Sequence, residues 1–294
     1  VDKTLITAGV AIMLAGWSIA VFVLFRILLN TPDQDKRHAK VTSIALFMGW
    51  LGVAAYLLWL MTENSAALNF SRTAGIWFFL LPIVLTVSHR MIPFFSSRVL
   101  DNYVMVRPFW MLWLMLACIV AHGGLQWLEM TAYQWMVDFP LAFCALYLSY
   151  HWGFLRSFSV SLLAVLHFSF LWLGLSMTLY AVQSLVYMLS GNLLFGLAPL
   201  HALAIGFFAS MVLAMASRVT IGHSGRPLEL DHTTWLLFLG FQSAAVLRIL
   251  ADVVPAMAPM LYVAAGLAWL GCFVLWVAKY APIYWRQRVD GKPG

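Results

Sequence analysis

Residues 201–227 read HALAIGFFASMVLAMASRVTIGHSGRP. Between His201 and Arg218 lie sixteen uncharged residues, and the surrounding apolar run extends over 193–218. A run of about 20 apolar residues is what a helix needs to cross a bilayer. This stretch therefore makes the chain a membrane protein. It also carries polar groups where they are costly: His201 near the start of the run and Arg218 near its end. Ionisable side chains at membrane depth mark functional positions by default. The Gly-His-Ser-Gly-Arg-Pro loop that follows, residues 222–227, adds glycines for close backbone approach. Its His223 and Arg226 are suited to a metal or an acidic group. The stretch as a whole points to a membrane protein built around a cofactor.

The rest of the 294 residues agrees with that class. The chain is 63% hydrophobic and 10% charged, whereas soluble domains carry charge on about a quarter of their residues. Spanning segments are expected near 5–29, 41–61, 74–96, 108–124, 136–156, 159–183, 193–218, 233–254 and 257–281, with the fourth and fifth the weakest. The expected fold is an all-α integral membrane bundle of about nine helices, a single polytopic domain over 1–294. No clear internal repeat is visible, and no loop is long enough to fold alone. The chain opens at Val1 without a charged leader region, so no signal peptide is expected.

Basic residues test this layout independently. With the N-terminus outside, one side collects 14 Lys and Arg, and the other keeps only Lys3, Arg72 and Arg248, which accounts for all 17. The 11 acidic residues divide almost evenly, as expected for a rule that concerns Lys and Arg rather than net charge. The topology is N-out and C-in, multi-pass. The net charge of +6 is orientation signal and calls for no nucleic-acid partner. Trp110, Trp127, Trp135, Trp235 and Trp285 fall near span ends, as interfacial anchors do. Gly174 and Ser176, and the row Ala202, Gly206, Ser210, allow helices to approach closely. Cys118, Cys144 and Cys272 stand singly in apolar runs, without metal or redox spacing, and read as small buried hydrophobes.

Eight histidines provide the candidate ligands. His167 lies well within the sixth span, and His201 opens the seventh just after Pro199. Each suits haem or metal ligation, against the plainer reading of a polar contact with a neighbouring helix. With the intervening turn centred near residue 187, their depths differ by roughly 9 Å, an awkward spacing for one bis-histidine haem. His89 and Arg90 sit together before Ile-Pro-Phe-Phe near the inner end of the third span. Arg90 there is a candidate for a propionate or an acidic lipid, or a simple anchor. His122 and His151 read as interfacial, and His38 and His232 as loop residues. Met211 and Met215 form an i, i+4 pair with weak promise for copper, since methionine in apolar helices is mostly packing filler. No paired carboxylates, nucleophile–base spacing or phosphate loop appears, so hydrolytic catalysis has no support.

Four segments carry a family resemblance. SHRMIPFFSSRVL (88–100) is similar to the Arg-x-Ile-Pro-Phe-Phe segment of the NnrS family of bacterial membrane proteins, and LHFSFLWLGL (166–175) resembles its Leu-His-x-x-Tyr-Leu-Trp-Leu segment. HALAIGFFASMVLAMASRVTIGHSGRPL (201–228) resembles the family hallmark that ends in Gly-His-x-Gly-Arg-Pro-Leu. AAVLRILAD (244–252) matches a weaker segment, with Arg248 at its arginine. The matches fall in order, and the family-like core spans about 70–281.

The resemblance implies a haem-containing protein of the bacterial inner membrane, b-type haem with copper as a further cofactor, associated with nitric oxide resistance and denitrification. It implies His167, His201 and His223 as haem or metal ligands, and Arg90, Arg218 and Arg226 as structural or propionate partners. The family's Trp-His-x-His-Glu-Met segment has no counterpart here, so the helices that carry it are expected to be missing, replaced or supplied by a partner subunit. The family has glycine where this chain has His89, which makes His89 a candidate gained ligand. Two other readings stand beside haem-based redox or nitric oxide chemistry. One is a cofactor-free structural subunit of a larger complex or a homo-oligomer; the other is a metal or small-molecule transporter.

Overall fold

The computed structural model describes residues 2–32 and 35–292. Nine long helices follow one another: α1 (Lys3–Asn30), α2 (Arg37–Thr62), α3 (Ser65–Val99), α4 (Phe109–Trp127), α5 (Trp135–His151), α6 (Ser161–Ser190), α7 (Ala198–His223), α8 (His232–Val253) and α9 (Ala258–Tyr280). Among the described residues there is no strand. Eight of the nine are long and apolar enough to cross a membrane. The exception is α5, whose 17 residues end where Gly153 takes a positive φ of 88°. The chain is thus an all-helical, multi-pass membrane protein, and its apolar helices place it in a lipid bilayer.

Local chemistry sets the helix ends. The Asp2 carboxylate accepts the Thr4 N–H at the start of α1, and Asp231 accepts the Thr234 N–H at the start of α8, satisfying donors that a first turn leaves open. Gly191, at φ 72°, closes α6 in the left-handed conformation, where glycine carries no steric cost.

Two compact units emerge: residues up to Met91 with Pro108–Val137, and Ile92–Arg107 with the chain from Asp138 onward. In the first, α1 carries no buried residue, so its apolar surface is left to lipid. Close approach in this unit occurs at Gly123, where an added Cβ would lie 2.5 Å from the Phe78 ring. In the second unit α6 is the most enclosed element, with Leu162–His167 buried without interruption. A Cβ at Gly206 would lie 2.5 Å from the Trp172 indole, and one at Gly174 2.6 Å from Leu146. Small residues at those positions are what let α7 and α5 close on α6.

Two helices contain π segments, Ala74–Leu80 in α3 and Ala202–Ala209 in α7. Single π turns are rare and concentrate at functional sites. The second begins immediately after His201. It is tied into the second unit by a buried chain of polar contacts: Trp172 Nε1 donates to Gln242 Oε1 (2.7 Å), Gln242 Nε2 donates to Ser210 Oγ (2.8 Å), and the Ser210 hydroxyl donates to the Ile205 carbonyl (3.1 Å). One glutamine thereby links α6, α7 and α8.

Candidate functional site

His201 does not stand alone. It ends the first turn of α7, and its Nδ1 lies 2.5 Å from Oδ2 of Asp252 on α8. The two side chains are 15% and 7% exposed. Tyr262 of α9 donates its hydroxyl to the other carboxylate oxygen (3.2 Å). Arg248, one helical turn before Asp252, stands 3.8 Å from the same carboxylate and lays its guanidinium over the Tyr262 ring, 4.0 Å from the centroid. Among the described residues, His201 Nε2 makes no hydrogen bond. A carboxylate on Nδ1 fixes the tautomer and orients the ring, the arrangement found behind metal-bound histidines.

Beside this cluster opens a cavity of about 610 Å³ lined by Ile205, Ala244, Arg248, Tyr262, Ala265, Gly266 and Trp269. Ile205 is one turn along α7 from His201, and Arg248 and Tyr262 both reach Asp252. The walls are apolar except for one guanidinium and one phenol. An apolar cavity with one guanidinium on its wall suits an apolar group bearing an acidic substituent.

Asp252, Tyr262 and Gln242 were not among the residues singled out from the sequence. Asp252 lies in the ADVVP stretch, which reads as a polar interruption between spans. The structure carries α8 through to Val253, which keeps Asp252 on the helical face of Arg248. The i, i+4 spacing of Arg248 and Asp252 was the available signal.

His167 occupies a different place. It is 1% exposed, and its Nε2 lies 2.9 Å from Ser96 Oγ, whose hydroxyl also donates to the Ile92 carbonyl (3.0 Å). One residue before Ser96, the Phe95 ring receives the guanidinium of Arg218, 3.9 Å from the centroid. His167 and Arg218 thus meet neighbouring residues of α3. Arg218 is 9% exposed and makes no hydrogen bond or ion pair among the described residues.

The expected turn near residue 187 is displaced. Helix α6 continues to Ser190, and the chain doubles back so that Gln183 accepts the Phe195 N–H (3.0 Å) and donates to the Gly196 carbonyl (3.2 Å). Contact between Gly206 and Trp172 puts those positions at one level. His201 lies five residues before Gly206, and His167 five before Trp172, on helices running in opposite directions. At 1.5 Å per residue the two histidines are about 15 Å apart along the helix axes. Metal–imidazole bonds of roughly 2 Å allow two ligand nitrogens no more than about 4 Å. The two do not share one metal. The 9 Å expectation came from a turn placed too early, because YMLSGNLLFGLAP is apolar enough to hide where α6 ends.

The first unit contains a separate histidine pair. His89 is fully buried, and its Nδ1 faces His38 Nε2 at 3.2 Å. Phe109 lies against both rings, and the guanidinium of Arg37 sits over Phe109 (3.4 Å). His38 is therefore not a loop residue but sits buried in the first turn of α2, hidden in the sequence by the charged segment around it. His122, expected at the interface, is fully buried with its ring 3.6 Å from that of Trp77. Arg90 and His223 are exposed and make no hydrogen bond or ion pair among the described residues. Arg226 lines a cavity at the far ends of α7, α8 and α9. No group of three or more His, Cys, Asp or Glu able to hold a metal ion occurs among the described residues.

Fold and site together define a polytopic all-helical membrane protein with a carboxylate-backed histidine beside an apolar cavity. The family model described as NnrS protein matches residues 3–288, so the chain belongs to the NnrS family. The match extends well beyond the four motifs, to both ends of the helical array. No curated protein and no solved structure matches the chain.

Proposed function

We propose that this chain is a haem-binding protein of the NnrS type in the bacterial inner membrane, acting in redox chemistry or the response to nitric oxide, with His201 as the iron ligand. The observation that carries this reading is the His201–Asp252 contact: Nδ1 is committed to the carboxylate, while Nε2 is left without a protein partner among the described residues. The donor set fits a b-type haem. His201 offers one oriented imidazole, and the cavity that shares Arg248 and Tyr262 with its cluster has an apolar wall of Ile205, Ala265 and Trp269. The guanidinium of Arg248, whose Nη1 is buried without a hydrogen bond, is matched to an acidic substituent such as a propionate.

His201 would hold the haem iron, and the chemistry the group would supply there is redox exchange or the binding of a small molecule such as nitric oxide. The chain's own residues do the rest. Asp252 accepts the Nδ1 proton and holds the ring in one tautomer. Tyr262 and Arg248 hold that carboxylate in place. His167, about 15 Å from His201 along the helix axes, and Arg218, about 25 Å along α7, would hold a different group from the one at His201.

The test is a visible spectrum of the purified ferrous protein before and after addition of nitric oxide, with the haem content measured as its pyridine complex. A b-type spectrum that shifts with the gas supports the reading. Protein purified without haem, and unable to take it up, removes the cofactor and leaves a scaffold or transport role.

A further inference from the structure

The second cavity of the same unit is unlike the first. It measures about 440 Å³ and lies where the 224–227 loop after α7 meets the ends of α8 and α9, on the side the charge distribution places inside. Its floor is apolar: Ile221, Leu230 and Ile283 belong to or pack against one hydrophobic cluster with Tyr280. Its rim is cationic. Lys279 is engaged by Asp231, but Arg226 and Arg286 make no side-chain hydrogen bond or ion pair among the described residues. Glu229 is the one other acid on the rim, which leaves two guanidiniums facing a single carboxylate.

The loop is held rather than loose. Val289 N–H donates to the Ser224 carbonyl (3.1 Å), and Asp290, itself bound to Arg288 (2.7 Å), lies against Gly225. Gly225 has a φ of 73°, and a Cβ there would fall 2.7 Å from the Asp290 carboxyl carbon. Only glycine suits both the conformation and the contact. Arg226 is the next residue, so the cation is presented from a fixed backbone.

The depth of this cavity is marked independently. Ile283 belongs to the short Ala281–Trp285 turn that ends α9, and on that turn Tyr284 and Trp285 are 67% and 82% exposed. Exposed amphipathic rings at the end of a span mark the headgroup level of a bilayer. Basic pockets between transmembrane helices on that face suit phosphate headgroups. An apolar floor beneath a cationic rim, at headgroup depth, matches an amphiphile rather than a soluble anion.

We propose that this cavity is a binding site for an anionic phospholipid, with Arg226 and Arg286 on the headgroup phosphate and Ile221, Leu230 and Ile283 against the first carbons of an acyl chain. The site is separate from the His201 cluster and does not depend on a cofactor there.

The test is native mass spectrometry of the full chain released from nanodiscs of phosphatidylglycerol mixed with phosphatidylcholine. Wild type is expected to retain one phosphatidylglycerol in strong preference to phosphatidylcholine. Removing each cation should lower that preference about fivefold, and R226Q/R286Q together about thirtyfold. The charge-preserving R226K/R286K variant should keep most of it, which separates loss of the site from loss of the fold. Equal retention by wild type and R226Q/R286Q overturns the proposal. Displacement of the lipid by millimolar inorganic phosphate also overturns it, in favour of a soluble phosphate site.

Discussion

His201 Nδ1 and Asp252 Oδ2 are 2.5 Å apart, joining the start of the seventh helix to the end of the eighth. The contact orients the imidazole, because it leaves one ring nitrogen committed and the other open. Asp252→Asn keeps the size of the side chain but removes the charge that holds the imidazole. We expect haem affinity to fall by about 10- to 100-fold, read by titrating haem into the apoprotein. Unchanged affinity would show that Asp252 does not orient the ligand.

Gly206 and Trp172 make the closest approach near the site. A methyl group at Gly206 must displace the indole core rather than a mobile chain end. Gly206→Ala is expected to destabilise the protein by about 1–3 kcal/mol, seen as a lower melting temperature in detergent. A variant as stable as wild type would show that α6 and α7 have room to separate.

Gln242 bridges the Trp172 indole and the Ser210 hydroxyl. Gln242→Leu leaves both without that partner in an apolar interior. Hydrogen bonds between membrane helices are worth about 0.6–1.7 kcal/mol each, so losing the bridge should cost roughly 1–3 kcal/mol. Denaturant unfolding in mixed micelles checks this, and no change would mean that the bridge carries no stability.

Acid sensitivity is predicted at the start of α8. Burial alone would raise the Asp231 carboxyl, but the Lys279 ammonium and the Thr234 N–H outweigh it and hold the group below its ordinary value. A carboxylate so lowered stabilises the fold above the unfolded pKa of about 4, and that contribution is lost as pH falls through the lower folded value. The wild-type advantage over Asp231→Asn should therefore be present at pH 6 and shrink towards pH 3. The effect is small, because the side chain is 57% exposed. A gap that widens in acid would contradict the assignment.

Much of this architecture was legible in the chain. Nine apolar runs became nine helices because a run of that length has no other way to satisfy its backbone in lipid. His201 was legible for the same reason, since an imidazole at membrane depth is expensive enough to attract notice. Its partner was hidden. Asp252 sits beside a Val-Val-Pro sequence that looks like a loop, and only the continuation of α8 to Val253 turns it towards His201. The pairing of His38 with His89 was hidden likewise, because Lys36–Lys40 reads as a solvated charge run. Periodicity also cannot reveal the π segment after His201, since one wide turn leaves the apolar pattern intact. The relative depth of His167 and His201 depended on a turn whose apolar residues resemble the helix before it.

The proposed ligand is His201. A reduced-minus-oxidised absorption spectrum of the purified wild-type protein, beside His201→Ala and His167→Ala, tests it most directly. A b-type haem band is expected in wild type, lost in His201→Ala and kept in His167→Ala. A band that survives His201→Ala unchanged, or that is lost only in His167→Ala, would contradict it.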